Sequence, residues 1–259
     1  MSVNSYFQER ASSAVLSEKE RGSITTSIST LSSRLNNYFT LAGDGLKTHF
    51  RFGSSMRGTI LPRRDDTNSD IDYMVVFEKD GLQPQSYLDR LRRFVEKAYA
   101  SSEVYQSSPT IVLELNHIKF ELVPALFAWS TTYKIPNGPQ GWQYSDPSDF
   151  NATLEEKNKN NGYLIKPTIR LAKIWNAANG YVFDSYLFEK WICNLSFWFA
   201  VNQRDHLFAV FDNLTANEST AWRNEKITRA KNLVRDIKSD EANGYPYSAE
   251  AKAKKLIPE

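Results

Sequence analysis

Two hydrophobic periods divide the chain. Over residues 17–38 apolar side chains recur at spacings of three and four residues, which predicts one long amphipathic helix. Its apolar positions are Ile24, Ile28, Leu31, Leu35 and Tyr38. Ser17 and Glu20 have the spacing of a capping box, so we expect the helix to begin beside them.

Between residues 50 and 128 the pattern changes to short segments that are rich in β-forming residues. These segments are YMVVF, TIVLEL and IKFELVPALF, with a charged, helix-forming stretch, SYLDRLRRFVEKAYA, between the first two. The combination predicts a mixed sheet covered by helices.

A helical period returns in the last third of the chain, where one stripe is formed by Leu164, Thr168, Leu171 and Trp175. The segment before it, YKIPNGPQGWQYSDPSDF, is rich in proline and glycine, so we expect a loop there. The sequence therefore predicts an α+β lobe over 1–130 that includes the long helix, a linker over 131–150 and a helical lobe over 151–259. A chain of 259 residues is long enough for two such lobes.

Composition and charge limit the classes of function. The hydrophobic fraction of 41% supports a globular core, and the net charge of +2 means that an anionic partner must be held by a local patch. Cys193 is the only cysteine, which excludes an intramolecular disulfide and predicts a buried thiol in a reducing compartment. No segment has the roughly 20 apolar residues of a membrane span, so we expect a cytoplasmic protein without a membrane partner.

Candidate chemistry is concentrated at the start of the strand YMVVF. Side chains alternate across a strand, so Asp70 and Asp72 share one face while Ile71 points into the core. Two adjacent carboxylates repel each other unless a cation binds beside them, and oxygen ligands suit Mg²⁺. The pair therefore indicates a metal site, although an Asp-x-Asp sequence is also common in turns.

Two neighbouring features extend this site. Gly53 and Ser54 precede the aspartates, and such a turn can present N–H groups and a hydroxyl to a phosphate, or can be a plain surface turn. A third carboxylate could come from Glu121 or from Glu114, which both lie on predicted strands.

A cationic face is predicted on the first helix of the helical lobe. Lys166, Arg170 and Lys173 lie at positions i, i+4 and i+7, opposite the apolar stripe. A solvated helix surface and a phosphate-binding surface both fit this pattern.

These blocks together resemble a known family. GSSMRGT, SDIDYMVVF and FELVP, followed by IKPTIRLAKIWN and FDSYLFEKW, are similar to motifs of the polymerase-beta superfamily of nucleotidyltransferases. The resemblance is strongest to the bacterial cyclic-oligonucleotide synthases, the CD-NTases, which are related to cyclic GMP-AMP synthase. It implies a polymerase-beta-like lobe, a helical second lobe and an active site in the cleft between them.

The resemblance also implies roles for eight residues. The acids that bind two Mg²⁺ ions, with Mn²⁺ as an alternative, are Asp70, Asp72 and Glu121. The residues that bind the nucleotide are Gly53, Ser54, Lys173, Ser185 and Tyr186. Among the latter, Lys173 contacts the triphosphate, Ser185 contacts phosphate and Tyr186 stacks on the base.

The implied activity is synthesis of cyclic di- or oligonucleotide second messengers from NTPs, with release of pyrophosphate, in bacterial anti-phage signalling. The expected partners are ATP, GTP or pyrimidine NTPs and a regulatory protein or an effector reached through the product. We expect a monomer that needs no nucleic acid. Two other functions stay open: a transferase that modifies RNA ends or a protein, and a non-catalytic nucleotide- or RNA-binding module.

Overall fold

The computed structural model describes residues 2–41 and 45–259, and the chain forms two compact units. The unit that we call the sheet unit comprises Leu16–Arg63 and Asn68–Asp149. The unit that we call the helical unit comprises Met1–Val15, Arg64–Thr67 and Phe150–Glu259. The four residues Arg64–Thr67 therefore group with the helical unit although both flanking segments group with the sheet unit.

Helices and strands alternate in the first half of the chain, and helices alone follow. In chain order the elements are α1 (Val3–Ser13), α2 (Glu18–Leu41), β1 (Leu46–Arg51), α3 (Gly53–Arg57), β2 (Asp70–Phe77), α4 (Pro84–Ala98), β3 (Glu103–Ser107), β4 (Thr110–Glu114), β5 (Lys119–Trp129), β6 (Thr132–Asn137), β7 (Gly141–Ser145), α5 (Asn151–Asn160), α6 (Ile165–Ala178), α7 (Ser185–Asn194), α8 (Gln203–Asn213), α9 (Ala221–Ala242) and α10 (Pro246–Leu256).

The strands form one mixed sheet in which β1, β2, β5, β4 and β3 lie side by side in that order. Strands β2 and β5 are parallel, and the other pairs are antiparallel. This arrangement confirms the mixed sheet predicted from the β-rich segments. The parallel pair determines which side chains meet at the site described below, because it aligns the first residues of β2 with the first residues of β5.

The hydrophobic core of the sheet unit lies between one face of the sheet and helices α2 and α4. Alternate residues of β2, including Ile71, Tyr73 and Val75, point into this core. The predicted capping box of α2 is confirmed, because the Ser17 N–H donates to Glu20 Oε2 at 2.7 Å and the Glu20 N–H donates to Ser17 Oγ at 3.3 Å. Since side chains alternate along β2, its aspartates lie on the opposite face from α2 and α4.

The predicted linker over 131–150 is wrong for most of its length. Residues 132–145 form the β6–β7 hairpin, and β6 pairs with the last residues of β5. The proline and glycine residues instead supply the hairpin turn, where Gly138 has a φ of +77°. Tyr133 and Ile135 pack against the sheet, and Trp142 contacts Tyr87, so alternating apolar residues outweighed the loop signal.

The helical unit contains α1 and helices α5 to α10. Helix α1 was not predicted, and its inclusion moves the first fifteen residues out of the lobe to which the sequence assigned them. Its buried positions, Val3, Tyr6, Phe7 and Arg10, have the i, i+3, i+4, i+7 spacing of an amphipathic helix. The predicted stripe on α6 is confirmed at Thr168, Leu171 and Trp175, which are buried.

Two further expectations can be compared with the structure. The thiol of Cys193 is buried, as predicted, and burial raises its pKa. Among the helices of the described residues, none combines the length and the apolar character needed to cross a membrane.

Candidate active site

Three carboxylates meet at the start of the parallel pair of strands. Asp72 lies directly beside Glu121 in the β2–β5 register, and Asp70 lies two residues earlier on the same face of β2. The predicted grouping of the two aspartates with Glu121 therefore holds in the structure, and the catalytic roles remain a proposal. Glu114 is held elsewhere, by an ion pair with Arg63 at 2.8 Å.

A lysine that the sequence interpretation missed lies among these acids. Lys119 is the register partner of Asp70, and its Nζ lies 3.4 Å from Asp70 Oδ2 and 3.1 Å from Glu121 Oε1. The signal was present, because Lys119-Phe120-Glu121 repeats the polar–apolar–polar period of Asp70-Ile71-Asp72. The site therefore contains a cationic group within contact of two of its three carboxylates.

Burial and repulsion act together on the first aspartate. Desolvation, followed by the charges of Asp72 and Glu121, raises the pKa of Asp70 from 3.8 to about 8, and Lys119 only partly offsets this rise. Burial lowers the pKa of Lys119, but the carboxylates of Asp70 and Glu121 outweigh this effect and raise the pKa above its usual value. Asp70 therefore holds a proton at neutral pH in the absence of a further cation, which marks a group of acids whose negative charge is not fully balanced.

The Gly53 turn is in direct contact with one of the acids, Asp72. The N–H of Phe52 donates to the Asp72 carbonyl at 3.0 Å and so continues the β1–β2 ladder up to the turn. Gly53 has a φ of +68°, and a Cβ at this position would lie 1.8 Å from Asp72 Oδ2. Only glycine leaves room for that carboxylate, which ties the predicted Gly-Ser turn to the predicted metal ligands.

Ser54 follows as the second residue of the short helix α3. Its carbonyl accepts hydrogen bonds from the N–H groups of Thr59 at 3.0 Å and Ile60 at 3.2 Å. These bonds close the loop after α3 and fix the backbone of the Gly-Ser turn beside β2.

The donor set has the chemistry that a magnesium site requires. Asp70, Asp72 and Glu121 supply only oxygen ligands, and the raised pKa of Asp70 shows that additional positive charge would be stabilising there. Within the described residues, however, no three His, Cys, Asp or Glu side chains are arranged to ligate one ion. The Lys119 ammonium lies between two of the carboxylates, Asp70 and Glu121.

The predicted cationic face of α6 is not a solvated surface. Lys173 is only 7% exposed and its Nζ lies 2.9 Å from Glu189 Oε1 of α7, which is 1% exposed. Lys166 pairs with Glu155, and burial lowers the pKa of Arg170 to about 10. Removing one partner of a buried ion pair of this kind lowers the stability of a protein by about 3–5 kcal/mol. Lys173 and Glu189 must therefore be changed together in any test.

The two predicted nucleotide contacts on α7 lie in its first turn. Ser185 is the first residue of the helix, whose preceding residue Asp184 caps it by accepting from the Leu187 N–H at 2.9 Å. Tyr186 is 37% exposed, and its ring packs edge-on against Phe150. The Lys190 ammonium also lies 5.8 Å from the centre of the Tyr186 ring, and stacking of a base on this ring remains a proposal.

Comparison with protein families decides the class of the chain. The model of the Second Messenger Oligonucleotide or Dinucleotide Synthetase domain, SMODS, matches residues 1–158, which is more than half of the chain. The chain belongs to the SMODS family. A probable cyclic nucleotide synthase of Bacillus cereus (strain VD146) is 26% identical over 177 residues, which are 53% of this chain and 52% of that protein. The match thus spans about half the length of this curated relative.

Solved structures share the fold of this SMODS protein over nearly its whole length. The Escherichia coli MS115-1 CdnC:HORMA-deltaN complex has a TM-score of 0.71 at 17% identity and covers 98% of this chain and 95% of that chain. The Vibrio cholerae DncV cyclic AMP-GMP synthase with the linear intermediate 5′ pppA(3′,5′)pG has a TM-score of 0.77 at 10% identity, with 99% and 96% covered. The Bradyrhizobium diazoefficiens CD-NTase CdnG in complex with GTP has a TM-score of 0.71 at 11% identity, with 98% of each chain covered. These similarities confirm the predicted fold class, and the SMODS match together with the curated relative confirms the predicted resemblance to CD-NTases.

Proposed function

We propose that this SMODS protein is a Mg²⁺-dependent nucleotidyltransferase that makes cyclic di- or oligonucleotides from NTPs and releases pyrophosphate. The observation that carries the proposal is the close contact between the Gly53 turn and Asp72, because a Cβ at Gly53 would lie 1.8 Å from Asp72 Oδ2. The family and the curated relative support the class of product. The alternative of a non-catalytic binding module fits less well, because all three carboxylates are present.

The acids of β2 and β5 would hold the metal ions, Mg²⁺ or alternatively Mn²⁺. Bound Mg²⁺ would lower the pKa of the attacking ribose hydroxyl and neutralise charge on the leaving pyrophosphate. Asp70 must release its proton when a cation binds, because its pKa is about 8 in the cation-free protein. Lys119, which lies 3.4 Å from Asp70 Oδ2 and 3.1 Å from Glu121 Oε1, would move away so that these oxygens could act as ligands.

The remaining residues would hold the nucleotide. The Gly53 backbone and the Ser54 hydroxyl would orient the triphosphate, so that positioning supplies much of the catalysis. We assign Lys173 to the triphosphate, Ser185 to a phosphate and Tyr186 to a base. The base preference among ATP, GTP and pyrimidine NTPs would depend on the stacking of Tyr186 and its neighbours.

The test is incubation of the purified chain with all four NTPs and Mg²⁺, followed by mass spectrometry of phosphatase-resistant products. A cyclic product that disappears in Asp70→Asn/Asp72→Asn supports the proposal. Label from NTP that appears only on added RNA 3′ ends, with a steep loss of activity between about 50 and 200 mM KCl, would favour the RNA-modifying alternative.

We also propose a role in anti-phage signalling under the control of a protein partner. CdnC has been solved as a CdnC:HORMA-deltaN complex, and this structure motivates the partner for the present chain. The test is phage challenge of cells that express wild-type protein or Asp70→Asn/Asp72→Asn. Equal phage growth in both would contradict a defensive role.

A further inference from the structure

The four residues that lead towards strand β2 are held by the helical unit. Asp65 and Asp66 lie within Arg64–Thr67, the segment that groups with that unit, and Asp66 precedes Asp70 by only four residues. Asn68 and Ser69 alone separate this segment in sequence from Asp70, the first residue of β2.

Asp65 is anchored to helix α1. Arg10 donates from Nη2 to Asp65 Oδ1 at 2.5 Å, and the two side chains are 6% and 4% exposed. Arg10 is itself fixed, because its Nε donates to the Pro258 carbonyl at 2.8 Å and its Nη1 donates to Ser13 Oγ at 3.2 Å. A buried, multiply bonded guanidinium is a rigid anchor for the segment.

Asp66 is anchored separately, to the turn that follows helix α6. The Tyr181 hydroxyl donates to Asp66 Oδ1 at 2.5 Å, and Asp66 is buried. Tyr181 has a φ of +58°, a left-handed conformation that is strained for a residue other than glycine. Tyr163, at the end of α5, has the same conformation with a φ of +63°, so the conformation belongs to this type of turn, and the buried contact with Asp66 is what distinguishes Tyr181.

The contacts that hold this turn come from the backbone and the side chain of one buried residue, Asn176. The Asn176 carbonyl accepts from the Tyr181 N–H at 2.8 Å. The Asn176 side-chain amide donates to the Phe183 carbonyl at 2.8 Å and accepts from the Phe183 N–H at 3.0 Å. Asn176 therefore holds the turn closed on both sides of Tyr181 and directs the hydroxyl towards Asp66.

We propose that Arg10 and Tyr181 are positioning residues that fix the segment 64–67 and, through it, the placement of Asp70 and Asp72. The effect on catalysis rests on the proposed function, in which the two aspartates bind the metal ions. Two anchors on successive residues constrain both the location and the direction of the chain. A misplacement of about 1 Å at reacting groups can lower a rate by about a hundredfold. We therefore expect the loss of one anchor to lower the rate of catalysis, although neither anchor is assigned a contact with the substrate.

The chain provides a matched control for Tyr181. Residues 161–163 and 179–181 are both Asn-Gly-Tyr at the ends of helices, α5 and α6, and Tyr163 also has a positive φ, of +63°. Tyr163 is exposed. Tyr163→Phe thus removes a hydroxyl from the same local structure without touching the segment 64–67.

The experiment compares Tyr181→Phe, Asp66→Asn and Tyr163→Phe with wild type by hydrogen–deuterium exchange of the metal-free proteins and by steady-state kinetics. We expect the amides of residues 64–70 to exchange about tenfold to a hundredfold faster in the first two variants, the range for a lost hydrogen bond to a charged group. We also expect kcat to fall about tenfold with KM for NTP unchanged. Tyr163→Phe should match wild type, and Tyr181→Phe/Asp66→Asn should be no worse than either single variant.

Wild-type exchange of residues 64–70 in both single variants would overturn the proposal. Faster exchange with unchanged kcat, or an equal effect of Tyr163→Phe, would overturn it as well. If the wild-type chain forms no nucleotide product, the proposed function fails, and the exchange measurement, which needs no substrate, still decides whether Tyr181 holds the segment.

Discussion

A single methyl group at Gly53 should disable the site. In Gly53→Ala the new Cβ would lie 1.8 Å from Asp72 Oδ2 and 2.7 Å from Asp72 Cγ, whereas ordinary contacts begin at 3.4 Å. The carboxylate must therefore move by about 1.5 Å, and since a misplacement of about 1 Å can lower a rate by about a hundredfold, we expect at least that loss in nucleotide transfer.

The same substitution also affects stability, and a control separates the two effects. Alanine at a φ of +68° is strained by roughly 1–2 kcal/mol. Gly58, at the other end of α3, has a φ of +73° with no atom within 4 Å of a Cβ. Gly58→Ala therefore has a similar backbone strain without the contact to Asp72.

The assay is product formation from NTPs at saturating Mg²⁺, together with urea unfolding of each variant. We expect both variants to lose about 1–2 kcal/mol of unfolding free energy from backbone strain, and only Gly53→Ala to lose activity beyond the folded fraction. Full activity in Gly53→Ala, or an equal loss in Gly58→Ala, would refute the steric explanation.

Three further predictions concern the acids and Lys119. Asp70→Asn/Asp72→Asn should abolish transfer and raise the metal-free unfolding free energy, because removing like charges relieves repulsion; retained turnover with Mg²⁺ would contradict this. Because Asp70 has a pKa of about 8 against 3.8 normally, the folded protein keeps a proton that the unfolded chain has lost, so metal-free stability should fall as pH rises from about 4 to 8 in urea titrations. Apparent Mg²⁺ affinity should rise over the upper part of this range, and a flat profile in calorimetry would be inconsistent with a proton on Asp70. Lys119→Met should tighten Mg²⁺ binding, because the ammonium no longer competes for Asp70 and Glu121; weaker binding would show instead that Lys119 supports the site.

Much of the sheet unit could be predicted because its strands are recognisable from patterns of residues that are close together in the sequence. In β2 every second residue points to the same face of the sheet. This alternation was enough to predict that Ile71 points into the core and that Asp70 and Asp72 share the other face. The identity of the third acid required the register of two strands that are distant in sequence. The parallel pairing of β2 with β5 places Glu121 beside Asp72, and only motif resemblance favoured it over Glu114 beforehand.

The errors arose where two signals competed. Proline and glycine in YKIPNGPQGWQYSDPSDF indicated a loop, although the apolar residues Tyr133, Ile135 and Trp142 alternate with polar ones as in a hairpin. On α6 the basic spacing indicated a cationic surface, but Lys173 is neutralised by Glu189 of the next helix. A helix period identifies which residues share a face and does not identify what covers that face.

Lys119 shows why the acids alone were an incomplete description of the site. Three carboxylates on adjacent strands repel one another, and their burial removes the water that would screen them, so the fold must be stabilised before any metal is bound. Part of that stabilisation comes from protonation of Asp70, and part from the Lys119 ammonium at 3.4 Å from Asp70 and 3.1 Å from Glu121. Both sources of positive charge could leave if a divalent cation bound as proposed, since a proton dissociates and a lysine side chain can rotate away. The same arrangement thus lets the metal-free protein fold and leaves the carboxylates accessible to a cation, and a search for this site in other sequences should include the lysine on β5 as well as the acids.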